Sequence, residues 1–160
     1  MDLLPSALRY EGVINLLLEQ GAGDPNLPES NRQTLLSFAA EAGLERVVKL
    51  LLERVDVDPN SPDNNGRTPL SFAAEGGWED VVRLLLERGD VDPNSSDNNG
   101  RTPLSFAAEW GQEGVVKLLL ERGDVDPNSS DNNSRTPFSF AARRFREPRK
   151  FRGFLRSTLR

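Results

Sequence analysis

The chain has 160 residues, 36% hydrophobic and 28% charged, with no cysteine and no histidine. That composition suits a chain able to bury a core, and it excludes disulfides, thiolate nucleophiles, imidazole bases and the usual soft metal ligands. The net charge of −5 is unevenly divided, with +7 on residues 143–160 and −12 on everything before them, so the end differs in kind from the body.

The first residues, "MDLLPSALRYEG", carry an early acid and no basic leader, and do not read as a signal peptide. The longest aliphatic stretches, "VINLLL" and "VVKLLL", fall far short of the ~18 residues of a membrane span and belong on amphipathic helices. An intracellular, cytoplasmic chain is expected. Within residues 1–28, "GVINLLLEQ" (12–20) matches "RVVKLLLER" (46–54), whereas the residues before it lack a turn. Pro5 falls opposite Ala39, so a first helix here is expected to be short or broken.

Residues 29–62 form the first full unit, in which Thr34, Ser37, Phe38, Ala39, Ala40 and Glu41 share their register with Thr68, Ser71, Phe72, Ala73, Ala74 and Glu75. Residues 63–96 and 97–130 then differ at only four positions over a period of 34: Gly76/Trp110, Trp78/Gln112, Asp80/Gly114 and Arg83/Lys117. A last copy begins with "DNNSRTPFSFAA" at 131–142 and loses the pattern in a basic stretch that completes the single domain, 1–160. A repeat of this length signals a stacked array.

The physical content of one unit follows from its residues. Asp-Asn-Asn-Gly (63–66) is turn chemistry. Thr68 and Pro69 suit an N-cap and a first helical position. Leu70, Phe72, Ala73 and Ala74 follow on a short helix whose alanines admit a close neighbour. Gly76 and Gly77 break it, and Val81, Val82, Leu84, Leu85 and Leu86 make one broad apolar face on a second helix. Such a pair cannot bury both its faces alone, but stacked copies cover one another.

"NGRTPLSFAAEWGQEGVVKLLLERG" closely resembles the ankyrin repeat, and the likeness covers about residues 3–142. The resemblance implies an all-α solenoid of stacked helix-turn-helix repeats joined by β-turn or hairpin loops. Two departures stand out. Ser37, Ser71, Ser105 and Ser139 replace the family's histidine, so a hydroxyl must tie hairpin to helix. The "GDVDPN" end adds one residue to the usual period, a spacing similar to that of fungal ankyrin arrays.

Asp90, Asp92 and Asn94 have the first spacings of a calcium loop, but Ser95 and Arg101 stand where that loop needs Gly and a bidentate Glu. The acids are assigned to loops and caps, with no metal and no cofactor. Asp124 and Asp126 recur as Asp56/Asp58 and Asp90/Asp92, which is unlike a singular catalytic pair, and no catalytic residue is assigned. The family resemblance implies partner contacts from the hairpins and first helices. These are Asn64, Asn65, Arg67, Asn98, Asn99, Arg101, Asn132, Asn133 and Arg135, with Trp110 as the residue that changes between near-identical units. The Asn and Arg positions are equally readable as turn formers and surface charge. Trp110 is readable as an anchor in the concave groove or as packing on the next repeat.

In the tail, Phe151, Phe154 and Leu155 fall 35 residues beyond Val116, Leu119 and Leu120, and Leu159 continues that face. This predicts a basic capping helix, with two alternatives: a basic segment that binds nucleic acid or membrane, or a repeat remnant read in a shifted frame. The overall expectation is a non-enzymatic scaffold that binds another protein through its groove. The alternatives are a spacer segment of a larger receptor, or docking through residues 143–160, which salt would weaken steeply on nucleic acid.

Overall fold

A computed structural model describes residues 4–20 and 30–145. Its helices are α1 (Leu4–Glu19), α2 (Leu35–Glu41), α3 (Glu45–Leu52), α4 (Pro69–Gly76), α5 (Glu79–Glu87), α6 (Pro103–Trp110), α7 (Glu113–Glu121) and α8 (Pro137–Phe145). The first helices of the units, α2, α4, α6 and α8, pack in one row; α1, α3, α5 and α7 form a second row behind them. Among the described residues there is no strand, so the chain is an all-α solenoid whose units meet through turns.

Local chemistry sets where each helix begins and ends. The hydroxyls of Thr34, Thr68 and Thr102 cap α2, α4 and α6, accepting the N–H of Ser37, Ser71 and Ser105 at 3.2, 3.4 and 3.3 Å. Pro69 and Pro103 occupy the first turn, where an absent N–H leaves no bond unmade. The buried Ser71 and Ser105 hydroxyls lie 3.2 Å from those of their own cap threonines, so the position that carries histidine elsewhere closes the helix start. The turn is tied by an aspartate instead. Gly77 and Gly111, at φ 74° and 68°, end α4 and α6 in the left-handed conformation that turns the chain into the second helix.

The core runs continuously between the rows. Val47, Val48, Leu51, Val81, Val82, Leu85, Val115 and Leu119 are buried from the second helices, and Ala39, Ala73 and Ala107 from the first. The alanines have no side chain long enough to separate α2, α4 and α6, so these helices approach closely. Each buried leucine contributes roughly 1.5–3 kcal/mol relative to exposure. Because each unit touches only its neighbours, those contributions accumulate along the stack.

Polar bonds repeat at the period of the core. The indole Nε1 of Trp78 donates to the Glu41 carbonyl at 2.9 Å, and Gln112 Nε2 donates to the Glu75 carbonyl at 3.0 Å. Both oxygens belong to the last turn of the preceding first helix, where intrahelical partners run out. Two chemically unlike residues thus do one job, which accounts for one of the four differences between the copies. Arg88 and Arg122 do the same for the second helices, donating to the carbonyls of Leu52 and Leu86 at 3.3 and 3.0 Å. On the acidic loops, Asn60 donates to the Asp90 carbonyl at 2.6 Å and accepts the Asp92 N–H at 2.8 Å, and Asn94 repeats this with Asp124 and Asp126.

At the N-terminal end the structure differs from expectation. Helix α1 runs unbroken for 16 residues, with Pro5 in its first turn, where no helical bond is lost, and it packs on α3 in the second row. The capping helix, binding tail or frame-shifted remnant expected beyond residue 145 lies outside the described residues.

Candidate partner-binding wall

The turns that open the last three described units are each built around one aspartate. Asp97 Oδ1 accepts the N–H groups of Asn99 and Arg101 at 2.9 and 2.8 Å, while the Asp97 carbonyl accepts Gly100 N–H at 2.9 Å. Asp63 and Asp131 repeat the arrangement. Burial pushes the Asp131 carboxyl up, but the Arg135 guanidinium and the N–H groups of Arg135 and Asn133 outweigh it and hold the group below the usual 3.8. At the glycine of each turn, Gly66 and Gly100 take φ 79°, whereas the third turn places Ser134 at φ 60°. A left-handed side chain costs roughly 1–2 kcal/mol, partly offset by the freer unfolded chain of a glycine. Ser134→Gly is therefore expected to raise stability by about 0.5–1 kcal/mol in urea unfolding. A loss of stability would mean that Ser134 holds a contact that outweighs its strain.

The two asparagines of each turn have different duties. Asn98 donates its backbone N–H to the Asn65 carbonyl at 2.8 Å and its side-chain amide to the Asn64 carbonyl at 3.0 Å. Asn132 repeats both bonds on Asn99 and Asn98, at 2.9 and 3.1 Å, and Asn64 N–H reaches Asn31. The first asparagine therefore stitches turn to turn. The second, at Asn65, Asn99 and Asn133, is exposed, and the side chains of Asn99 and Asn133 make no hydrogen bond among the described residues.

The arginines are folded into the wall. Arg67 lies over Phe72 at 4.0 Å and over Phe106 of the next unit at 4.5 Å, and Arg101 lies over Phe106 at 4.0 Å and Phe140 at 4.9 Å. Their guanidinium groups also pair with Glu75 and Glu109, and each side chain keeps only 19% exposure. Arg143 takes the position of those glutamates in the last unit, and Arg135 turns back to Asp131 at 2.6 Å while keeping Phe140 at 4.7 Å. The result is a ladder of alternating rings and guanidinium planes, in which Arg67 and Arg101 each stack on the phenylalanine of their own unit and on that of the next. Sequence reasoning did not identify Phe72, Phe106, Phe140, Glu75 and Glu109 as parts of this wall, although the Arg-to-Phe spacing recurs unchanged in three units.

Trp110 lies one helical turn beyond Phe106 on α6 and is 48% exposed. The Arg144 guanidinium lies 4.6 Å from its ring, bridging α6 to α8. One face of the indole is thus used by the neighbouring unit, and nearly half its surface remains open. Trp78, by contrast, hydrogen-bonds the preceding unit, and a Cβ on Gly43 or Gly76 would collide with its ring.

Asp92 accepts Asn94 N–H at 2.9 Å and the Ser95 hydroxyl at 3.0 Å, and Asp90 pairs with Arg88 at 3.1 Å. Among the described residues no cluster of three or more acids is placed to hold a metal, and no helix is long and apolar enough to cross a membrane.

Comparison with family models matches ankyrin repeats in three copies, over residues 6–97, 36–131 and 89–148. Comparison with curated proteins gives no match.

Proposed function

The chain belongs to the ankyrin repeat family, whose repeats generally mediate protein–protein interaction, and we propose that it is a non-enzymatic scaffold that grips another protein along its concave wall. The observation that carries this reading is Trp110, a half-open indole held by Arg144 on the same helical face as the arginine–phenylalanine ladder. Around it the outward amides of Asn65, Asn99 and Asn133 supply donors and acceptors, whereas Asn64, Asn98, Asn132, Arg67, Arg101 and Arg135 set their positions. A wall stitched in this way loses little freedom on association, which limits the entropic cost of binding. An intracellular, cytoplasmic setting suits a chain without cysteine.

Trp110→Ala is expected to weaken partner binding by about 2 kcal/mol, roughly 30-fold in Kd. The measurement is a titration of a partner isolated from the source cell with the intact chain. Unchanged affinity in Trp110→Ala removes the groove reading. The spacer reading draws support from the internal engagement of the arginines and first asparagines, and it predicts that no partner is retained by the wall.

A further inference from the structure

The last two described units expose a face that the earlier units hide. Leu36, Leu70 and Leu104 are buried, yet Phe138 at the same position is 80% exposed. Val48 and Val82 are likewise buried, whereas their counterpart Val116 is only half-buried and Leu120 is 48% exposed. Together with Leu104 and Ala141 these residues line an apolar groove of about 810 Å³ between α6, α7 and α8. Glu109, Glu113 and Glu121 stand on its rim against Lys117 and Arg144. In the interior of the stack, the corresponding groove is filled by the second helix of the next unit.

We propose that this groove is filled in cis by residues 147–160, which lie across α7 as a basic amphipathic helix. Three observations favour this occupant. The segment follows α8 with only residue 146 between, so it reaches the groove at high effective concentration, which a second copy does not match. Phe151, Phe154 and Leu155 have the same i, i+3, i+4 spacing as the buried Val82 and Leu85 and the half-buried Leu86 of α5. Charge agrees as well, since residues 147–160 carry +4, five Arg or Lys against Glu147, and residues 1–142 carry −12.

An arginine donor is also supplied. Arg88 and Arg122 cap the carbonyls of Leu52 and Leu86, the next carbonyl in the series is that of Leu120, and Arg156 falls within one residue of the position equivalent to Arg122. Lys150 takes the place of an inward valine, so the apolar stripe is narrower than that of α5. The docking is therefore weaker than an interface between full units, and it is reversible.

The chain has no cysteine, so introduced thiols report unambiguously. Lys117→Cys, at an exposed position on α7, and Arg152→Cys, its counterpart 35 residues further along the sequence, are combined in the full chain and treated with a short bismaleimide. The expected product is an internally linked monomer. Adding Phe138→Lys, a change at an exposed residue with folding checked by circular dichroism, is expected to slow linking at least tenfold. Linked dimers would assign the groove to a second copy and overturn the proposal. Absence of linking, or linking at a rate indifferent to Phe138→Lys, would overturn it equally, because tethering alone is blind to the groove. Partner binding by the Trp110 wall is scored separately, so the two readings fail independently.

Discussion

Leu85→Ala is expected to lower the unfolding free energy by about 3 kcal/mol, within the range for removing a fully buried leucine and leaving a cavity. Leu85 is 0% exposed in α5, between α3 and α7. Two features oppose relaxation around the cavity. The unit has no second layer of core to collapse into the void, and both boundaries of its second helix lose contacts at once. In an array held by nearest-neighbour interfaces, the damage spreads outward from the weakened unit. Hydrogen exchange should therefore accelerate in α3 and α7 as well as in α5, and urea unfolding should give the energetic cost. A loss below about 1 kcal/mol would mean that the units do not depend on shared burial.

The row structure was legible because it needs only a period: Val47, Val48 and Leu51 recur 34 residues later as Val81, Val82 and Leu85, and all six are buried. The role of the arginines was not legible. Whether Arg67 faces solvent or a ring depends on Phe106, 39 residues away, and on how far one unit is displaced from the next. No one-dimensional spacing contains that displacement. The Trp78/Gln112 exchange was hidden for another reason. An indole and a carboxamide share no hydropathy or size, only an N–H that reaches the same carbonyl. Of the candidate wall, the turn positions were identified from sequence, but the division of each asparagine pair into a stitching member and an outward member required coordinates.

That division depends on the aspartate beneath it. Asp97→Ala is expected to cost about 3 kcal/mol, from the loss of two hydrogen bonds to a charged acceptor at ~1.5 kcal/mol each. Asp97 is 8% exposed, and its carboxylate accepts the N–H groups of Asn99 and Arg101 at 2.9 and 2.8 Å. Without it those donors lose their acceptor, and the turn that presents Asn98 to the carbonyls of Asn64 and Asn65 loses its shape. Arg101 starts in the same turn, so its stacking on Phe106 and Phe140 weakens too. Asp97→Asn keeps an acceptor oxygen in place and should cost about 1 kcal/mol, which separates the geometry of the turn from its charge. Urea unfolding of both variants, with exchange rates for the Asn99 and Arg101 amides, tests this directly. Equal costs for the two substitutions would make charge the dominant contribution of Asp97, and a negligible cost for Asp97→Ala would show that the stacked helices set the turns without it.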